Sequence, residues 1–182
     1  PLASDESIST FVVVNSFDHD AYLFMSTKNG MINKIPINLF KKIRTTGLKA
    51  ILLKPEDILL GAHYTDKEEL IMLVADNGKA IKFSESDVRE RFRGTLGVKG
   101  INLAKNSKLV SILKPTGGEI ITVTENGYGN RVSVENYNTQ KRGGVGVIGI
   151  KTSSRNGKVV GAVNVRADDQ IIMITNKGKT IK

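Results

Sequence analysis

Asn29-Gly30 is the first of four copies of a turn sequence in this chain; the others are Asn77-Gly78, Asn126-Gly127 and Asn176-Lys177-Gly178. Their asparagines follow one another at intervals of 48, 49 and 50 residues. Asn-Gly between two alternating apolar stretches is a strong hairpin signal, because both residues tolerate the positive φ of a type I′ turn. The sequence therefore predicts one hairpin in each repeat of about 50 residues.

Three further features keep the same interval. A basic residue stands four positions after each turn glycine, at Lys34, Lys82, Arg131 and Lys182. A central glycine follows an arginine by three or four residues, in the pairs Arg44 and Gly47, Arg93 and Gly97, and Arg142 and Gly146. A branched apolar residue opens a later strand at Ile8, Ile58, Leu109 and Val159. We expect residues 1–182 to form about three and a half repeats of a domain truncated at both ends.

Strand-like apolar runs dominate the chain, and turn residues separate them every 8–12 positions. Eleven such runs extend from Thr10-Val14 to Ile171-Thr175 and include a predicted strand at Ala50-Leu53. The best helical candidates, Pro36-Lys42 and Glu85-Arg91, are only one or two turns long. The pattern predicts an all-β fold, a propeller-like array of antiparallel blades with roughly four strands each.

The net charge indicates a polyanionic partner. The chain has 27 basic and 18 acidic side chains, a formal charge of +9, and the excess is spread over every repeat. Such a surface favours nucleic acid as the partner. The chain has no cysteine, which excludes a disulfide framework and is typical of a cytoplasmic protein. No apolar run approaches the roughly 18 residues of a membrane helix, so we expect no membrane partner.

The most basic stretch of each repeat runs into the central glycine. We call residues 39–47, 88–97 and 137–146 the basic segments. Glycines let backbone N–H groups approach phosphate oxygens, and flanking cations supply the charge. The predicted DNA-binding residues are Lys41, Lys42, Arg44, Arg89, Arg91, Arg93, Gln140, Lys141, Arg142, Gly143, Gly144 and Gly146. The cations that follow the hairpins, Lys34, Lys82, Arg131 and Lys182, form a second tier, because a strand cation can also pair with an acidic residue on a blade face.

The third basic segment carries a resemblance to a known family. Gln140-Lys141-Arg142-Gly143-Gly144-Val145-Gly146 resembles the box Gln-Arg-Arg-Gly-Gly-Lys-Gly of the DNA gyrase A C-terminal domain. Residues 122–131, 94–101 and 156–162 also look like that domain, so the resemblance covers essentially the whole chain. Val145 stands where the box has its lysine, and this copy lies in a late repeat. We therefore interpret it as a box-like stretch and expect the principal box upstream of Pro1.

The resemblance implies a β-pinwheel that wraps duplex DNA around a positively charged rim. In the family this wrapping permits negative supercoiling, driven by ATP hydrolysis on a second protein of the complex. The implied partners are duplex DNA, gyrase B and the rest of gyrase A in a heterotetramer. The domain on its own is then not an enzyme and has no cofactor, since ATP and Mg act elsewhere in the complex. The implied location is the bacterial cytoplasm, in association with the nucleoid.

Two alternatives remain open at this point. The C-terminal domain of topoisomerase IV is a related, shorter array without the box. A propeller that binds an acidic protein partner would also explain the charge.

The histidines, His19 and His63, lie a whole repeat apart, so no catalytic triad or metal set can be assembled from them. Asp18-His19-Asp20 is more typical of a polar turn than of a metal site, and we assign no catalytic or metal residue.

Overall fold

The computed structural model describes residues 2, 4, 6–18, 20–66 and 68–182. Within these ranges it contains fifteen β-strands and three 3-10 helices, at Ile37–Phe40, Glu85–Asp87 and Val134–Asn136. Turn residues interrupt every apolar run before a longer helix can propagate. The prediction of an all-β fold with helices no longer than two turns is confirmed for the described residues.

Three sheets repeat one arrangement, and we call them blades. Blade 1 has the strand order β4-β1-β2-β8, with β1 Tyr22–Thr27, β2 Met31–Pro36, β4 Leu59–Thr65 and β8 Val98–Lys99. Blade 2 has the order β9-β5-β6-β12, with β5 Leu70–Ala75, β6 Lys79–Ser84, β9 Leu109–Leu113 and β12 Val147–Ile148. Blade 3 has the described strands β13-β10-β11, which are Val159–Val165, Glu119–Thr124 and Gly129–Ser133. All pairings within the blades are antiparallel.

Two smaller sheets complete the strand set. Strand β3 (Ile51–Leu52) pairs in parallel with β7 (Thr95–Leu96), and β14 (Met173–Ile174) pairs with β15 (Thr180–Ile181) around the fourth turn sequence. The predicted strand at Ala50-Leu53 is therefore shortened to two residues. The predicted strand at Thr10-Val14 is wrong, because the structure assigns no strand there.

The blades exchange strands along the chain. The outermost strand of blade 1, β8, belongs to the second repeat, and the outermost strand of blade 2, β12, belongs to the third. The innermost strands β4, β9 and β13 contact one another in that order. The second and third basic segments lead directly into β8 and β12, so the exchange places these two segments where consecutive blades meet.

The hairpin turns differ from the predicted type I′. Gly30 N–H donates to Thr27 O at 3.0 Å, and the loop between β1 and β2 has three residues. Only the last one, Gly30, has a positive φ, of 76°. This is a type I turn followed by a left-handed glycine, in which the asparagine needs no positive φ. The same bond recurs from Gly178 to Thr175, which explains why the fourth copy accepts Lys177 between its asparagine and glycine.

The core lies between consecutive blades. Along β5, Ile71 and Leu73 face a cluster shared with blade 1, and Met72 and Val74 face a cluster shared with blade 3. All four side chains are at most 2% exposed. Successive residues of a strand point to opposite faces, so a strand buried on both sides is a continuous apolar run. Blade 2 therefore serves as the packing surface for both neighbours.

Candidate nucleic-acid interface

The second and third basic segments cross the preceding blade in the same register. Arg91 N–H donates to Lys34 O at 2.9 Å in blade 1, and Gln140 N–H donates to Lys82 O at 2.8 Å in blade 2. Lys34 and Lys82 are equivalent, since each stands four residues after its turn glycine. Arg91 and Gln140 are therefore equivalent positions, and so are Arg93 and Arg142. The structure thus places matching residues at matching junctions between blades.

The central glycines of these segments lie against backbone of the preceding blade. A Cβ at Gly97 would lie 2.6 Å from Ile32 O, and one at Gly146 would lie 2.4 Å from Ala80 O. Real Cβ atoms do not approach that closely, so both positions require glycine for close packing. The sequence pattern alone predicts that such glycines bring N–H groups close to phosphates. Close packing between blades therefore explains why glycine stands at Gly97 and Gly146, without reference to a ligand.

The box-like stretch is held from both sides. Gly143 N–H donates to Gly100 O at 2.6 Å, and Gly144 O accepts from the N–H of Asn102 at 2.8 Å. The Arg142 guanidinium donates to Asp87 O at 3.3 Å and to Lys99 O at 3.0 Å. The glycine amide at 143 and part of the Arg142 side chain are thus engaged within the protein. Lys141 is exposed and is the cation of this stretch that faces solvent most fully.

The first two basic segments present most of their cations to solvent. Arg89 and Arg93 are exposed, whereas Arg91 is half-buried. In the first segment the exposed cations are Lys41, Lys42 and Arg44. The Lys41 ammonium lies 2.5 Å from Asp18 Oδ1, and both side chains of that pair are more than half exposed. Such an exposed pair contributes little to stability and leaves the cation accessible to an anion.

Two of the second-tier cations are buried. The Lys34 ammonium lies 3.2 Å from Glu85 Oε1 and 4.0 Å from the centre of the Tyr22 ring, and it is 7% exposed as a residue. Lys82, also 7% exposed, donates from Nζ to Val134 O at 2.9 Å. Each cation therefore joins its hairpin to the 3-10 helix of the next repeat. This burial favours a structural role, so we leave both lysines out of the proposed interface.

The other two second-tier cations are exposed. Arg131 on β11 forms an ion pair and a hydrogen bond with Glu119 on the adjacent strand β10. Lys182 follows β15 at the end of the chain. Arg131 thus has an acidic neighbour on its own blade, as a strand cation can, while its exposure keeps it a candidate phosphate contact.

Two cations missed by the sequence reasoning directly follow the first two basic segments. Lys99 is exposed on β8, the outermost strand of blade 1. Lys49 is exposed at the equivalent position of the first repeat. Both stand two residues after a central glycine, so the repeat spacing contained the signal that was overlooked. The third repeat has Ile148 there, which is 63% exposed.

Acidic side chains fasten the hairpin turns to the loops that precede the innermost strands. Asp57 is 6% exposed and accepts bonds from the Thr27 hydroxyl and the Asn29 N–H. Asp76 accepts from the N–H of Lys108 at 3.0 Å, and its other oxygen lies 3.0 Å from the Lys158 ammonium. Burial raises the pKa of Asp76, but hydrogen bonds from Ser107, Lys158 and Lys108 together lower that pKa below its usual value. These carboxylates are engaged within the fold and lie outside the basic segments.

The titratable side chains that the structure describes do not gather into a metal-binding group. No group of three or more His, Cys, Asp or Glu side chains converges in the described part of the chain. His19 lies outside the described residues, and His63 Nε2 lies 3.1 Å from Ile112 O. Tyr137 packs in the core, where burial raises the pKa of its phenol. Among the described helices, none has the length and apolar character needed to cross a membrane.

Repeated blades with exchanged outer strands and cations at their junctions define a β-propeller domain with a basic edge. The family model described as DNA gyrase C-terminal domain, beta-propeller, matches residues 21–66, 69–115 and 118–166, one match for each of three consecutive repeats. The chain belongs to this family. It is 43% identical over 183 residues to the DNA gyrase A protein of Escherichia coli (strain K12), in an alignment that covers all of this chain and 21% of that protein.

Solved structures agree with the sequence relatives. A DNA gyrase A C-terminal domain superposes with a TM-score of 0.87 at 31% identity, covering 99% of this chain and 61% of the other. The C-terminal domain of DNA topoisomerase IV superposes with a TM-score of 0.86 at 30% identity, covering 93% of this chain and 54% of the other. The predicted β-propeller fold is confirmed. The chain spans about a fifth of the length of the curated relatives it matches.

Proposed function

We propose that this domain binds duplex DNA without sequence preference and bends it along the edge where the basic segments meet the outermost strands. The observation that carries the proposal is the repetition of exposed cations on equivalent basic segments, two of which lie at junctions between blades. Arg89 and Arg93 lie on the second segment and Lys141 on the third, while Lys42 and Arg44 lie on the first. Contacts of this kind neutralise phosphates and read no base, so any preference reflects how easily the DNA deforms.

The family supports a role within a larger machine. We propose that the domain is part of a gyrase A protein whose complex introduces negative supercoils, with catalysis and ATP use in other parts of that complex. Gyrase B and the remainder of gyrase A are the proposed protein partners, and the nucleoid of the bacterial cytoplasm is the proposed location. We also propose that residues 1–182 are a part, about three and a half repeats, of the complete propeller.

Topoisomerase IV is the second candidate parent, because its C-terminal domain superposes almost equally well. Two observations favour gyrase. The whole chain is 43% identical to a gyrase A protein, and the Gln140-Gly146 stretch retains most of the gyrase box. The activity of a full-length protein that carries this domain distinguishes the two. Wrapping with negative supercoiling indicates gyrase, and decatenation without wrapping indicates topoisomerase IV.

Salt dependence of duplex binding tests the proposed interface. If each visible repeat neutralises roughly two phosphates, roughly six to eight counterions are released, and log K falls against log salt with a slope of about −5 to −7. The slope is measured by fluorescence anisotropy with duplexes of different sequence. Replacing Arg93 with alanine makes the slope shallower by about 0.9, whereas replacing exposed Lys105, outside the basic segments, leaves it unchanged. A wild-type slope shallower than about −2, or tight binding only to an acidic protein, contradicts DNA binding by this edge.

A further inference from the structure

Two exposed apolar side chains stand between cations at equivalent positions of the first two basic segments. Phe92, between Arg91 and Arg93, is 75% exposed, and Ile43, between Lys42 and Arg44, is 66% exposed. Single exposed apolar residues are common on protein surfaces. These two, however, recur at one place in the repeat, and that place is the most cationic part of the proposed DNA-binding edge.

The backbone on both sides of Phe92 is fixed. Arg91 N–H donates to Lys34 O at 2.9 Å, and the carbonyl of Phe92 accepts from the Thr95 hydroxyl at 2.8 Å. Gly94 N–H then donates to Ala50 O at 2.8 Å. The phenyl ring therefore projects from a backbone that is tied to blade 1 and to the neighbouring segment. Because the backbone is already fixed, binding through this ring costs only the freedom of the side chain itself.

We propose that Phe92, with Ile43 as its counterpart in the first repeat, is an apolar wedge that inserts between base pairs of the bound duplex. Proteins that bend DNA frequently insert an apolar side chain from the minor groove, which partly unstacks one step and kinks the helix. The flanking cations hold the phosphates on either side of that step. The third segment has exposed Lys141 at this position, so its contact is electrostatic and the kinks belong to the first two repeats.

This inference rests on the proposed DNA binding and adds a contact that charge alone does not supply. The chain has no tryptophan, so Phe92→Trp places the only indole of the protein at the wedge, and its emission can be excited apart from that of the tyrosines. Stacking against bases quenches indole emission, and we expect a loss of about half or more when duplex saturates the protein. The matched control is Val160→Trp on the innermost strand β13, at a position that is 56% exposed; its emission should stay nearly constant.

A second pair of variants separates the wedge from the charge. Phe92→Ala should weaken duplex binding about fivefold or more without changing the salt slope, because no cation is removed. Arg93→Ala, one residue further on, should make the slope shallower by about 0.9. Anisotropy reports both quantities on the same duplex. The two variants together show whether the ring itself contributes affinity.

Each outcome decides one of the two proposals. Unquenched emission from the Phe92→Trp variant on saturated duplex, or a Phe92→Ala variant that binds like wild type, overturns the wedge and leaves DNA binding intact. If Phe92→Ala makes the salt slope as shallow as Arg93→Ala does, Phe92 only positions the neighbouring cations. That result also overturns the wedge. Absence of salt-dependent duplex binding by the wild-type protein contradicts the proposed function itself.

Discussion

At Gly146 the chain passes so close to strand β6 that the position has room only for a hydrogen atom. The φ angle there is +72°, and a Cβ would lie 2.4 Å from Ala80 O. Gly47 occupies the equivalent position of the first repeat with φ +73°, yet a Cβ there would meet nothing within 4 Å. The two glycines therefore share the backbone requirement and differ in the steric one.

This pair gives a matched test at the residue scale. Gly47→Ala should lower the free energy of unfolding by about 1–2 kcal/mol, which is the cost of a left-handed alanine. Gly146→Ala should lower it by about 3 kcal/mol or more, because β12 must also move away from β6. Urea unfolding followed by circular dichroism measures both. Equal losses would mean that the close approach at Gly146 is relieved at no cost.

Residue types were predictable from the sequence, but several of their roles were not. The 48 to 50 residue interval located the turn glycines, the central glycines and the cations. It did not show that Gly97 and Gly146 face a carbonyl of another blade, because that contact joins positions 65 or more residues apart. The turn type was wrong for a local reason, since a three-residue loop needs positive φ only at its last residue.

At the scale of elements, a buried lysine joins each of the first two hairpins to the 3-10 helix of the following repeat. In blade 1 the partner of Lys34 is Glu85, which is fully buried and lies at 3.2 Å without a well-directed hydrogen bond. In blade 2 the position of Glu85 is taken by Val134, and Lys82 donates to its backbone carbonyl instead. The same connection is thus made by an ion pair in blade 1 and by a hydrogen bond to a backbone carbonyl in blade 2.

We expect Lys34→Met to lower the free energy of unfolding by about 3 kcal/mol, because it leaves the Glu85 carboxylate buried without a cation. Glu85→Val reproduces the arrangement of the third repeat, in which the lysine donates to the backbone carbonyl at this position, so it should cost only about 1.5 kcal/mol or less. The double variant should recover most of the loss of Lys34→Met. Chemical denaturation of the three variants measures these differences.

Equal losses in the two single variants would contradict this coupling.

The same Lys34→Met protein also tests the expectation that strand cations contact DNA. A salt slope about one unit shallower than wild type would show that Lys34 neutralises a phosphate despite its burial. The sequence could not distinguish these cases, because the burial of Lys34 depends on which element packs over β2.

At the scale of the molecule, strand exchange determines where the charge is displayed. Apolar periodicity and turn spacing predicted the long strands and the repeat, whereas β8 and β12 were missed because each has only two residues. These short strands connect the blades, since each one pairs with the blade formed by the preceding repeat. The exchange brings the second and third basic segments to junctions between blades, so a duplex following the proposed edge would meet a new group of cations at each junction.

The shape of bound DNA tests this arrangement most directly. A free duplex of about 40 base pairs is nearly straight, because its persistence length is about 150 base pairs. With donor and acceptor dyes at the two ends, we expect energy transfer to rise when the domain saturates the duplex. The double variants Lys141→Ala/Arg142→Ala and Arg91→Ala/Arg93→Ala should reduce affinity and salt slope to a similar extent. Saturable binding with no change in transfer would contradict bending along the outer edge.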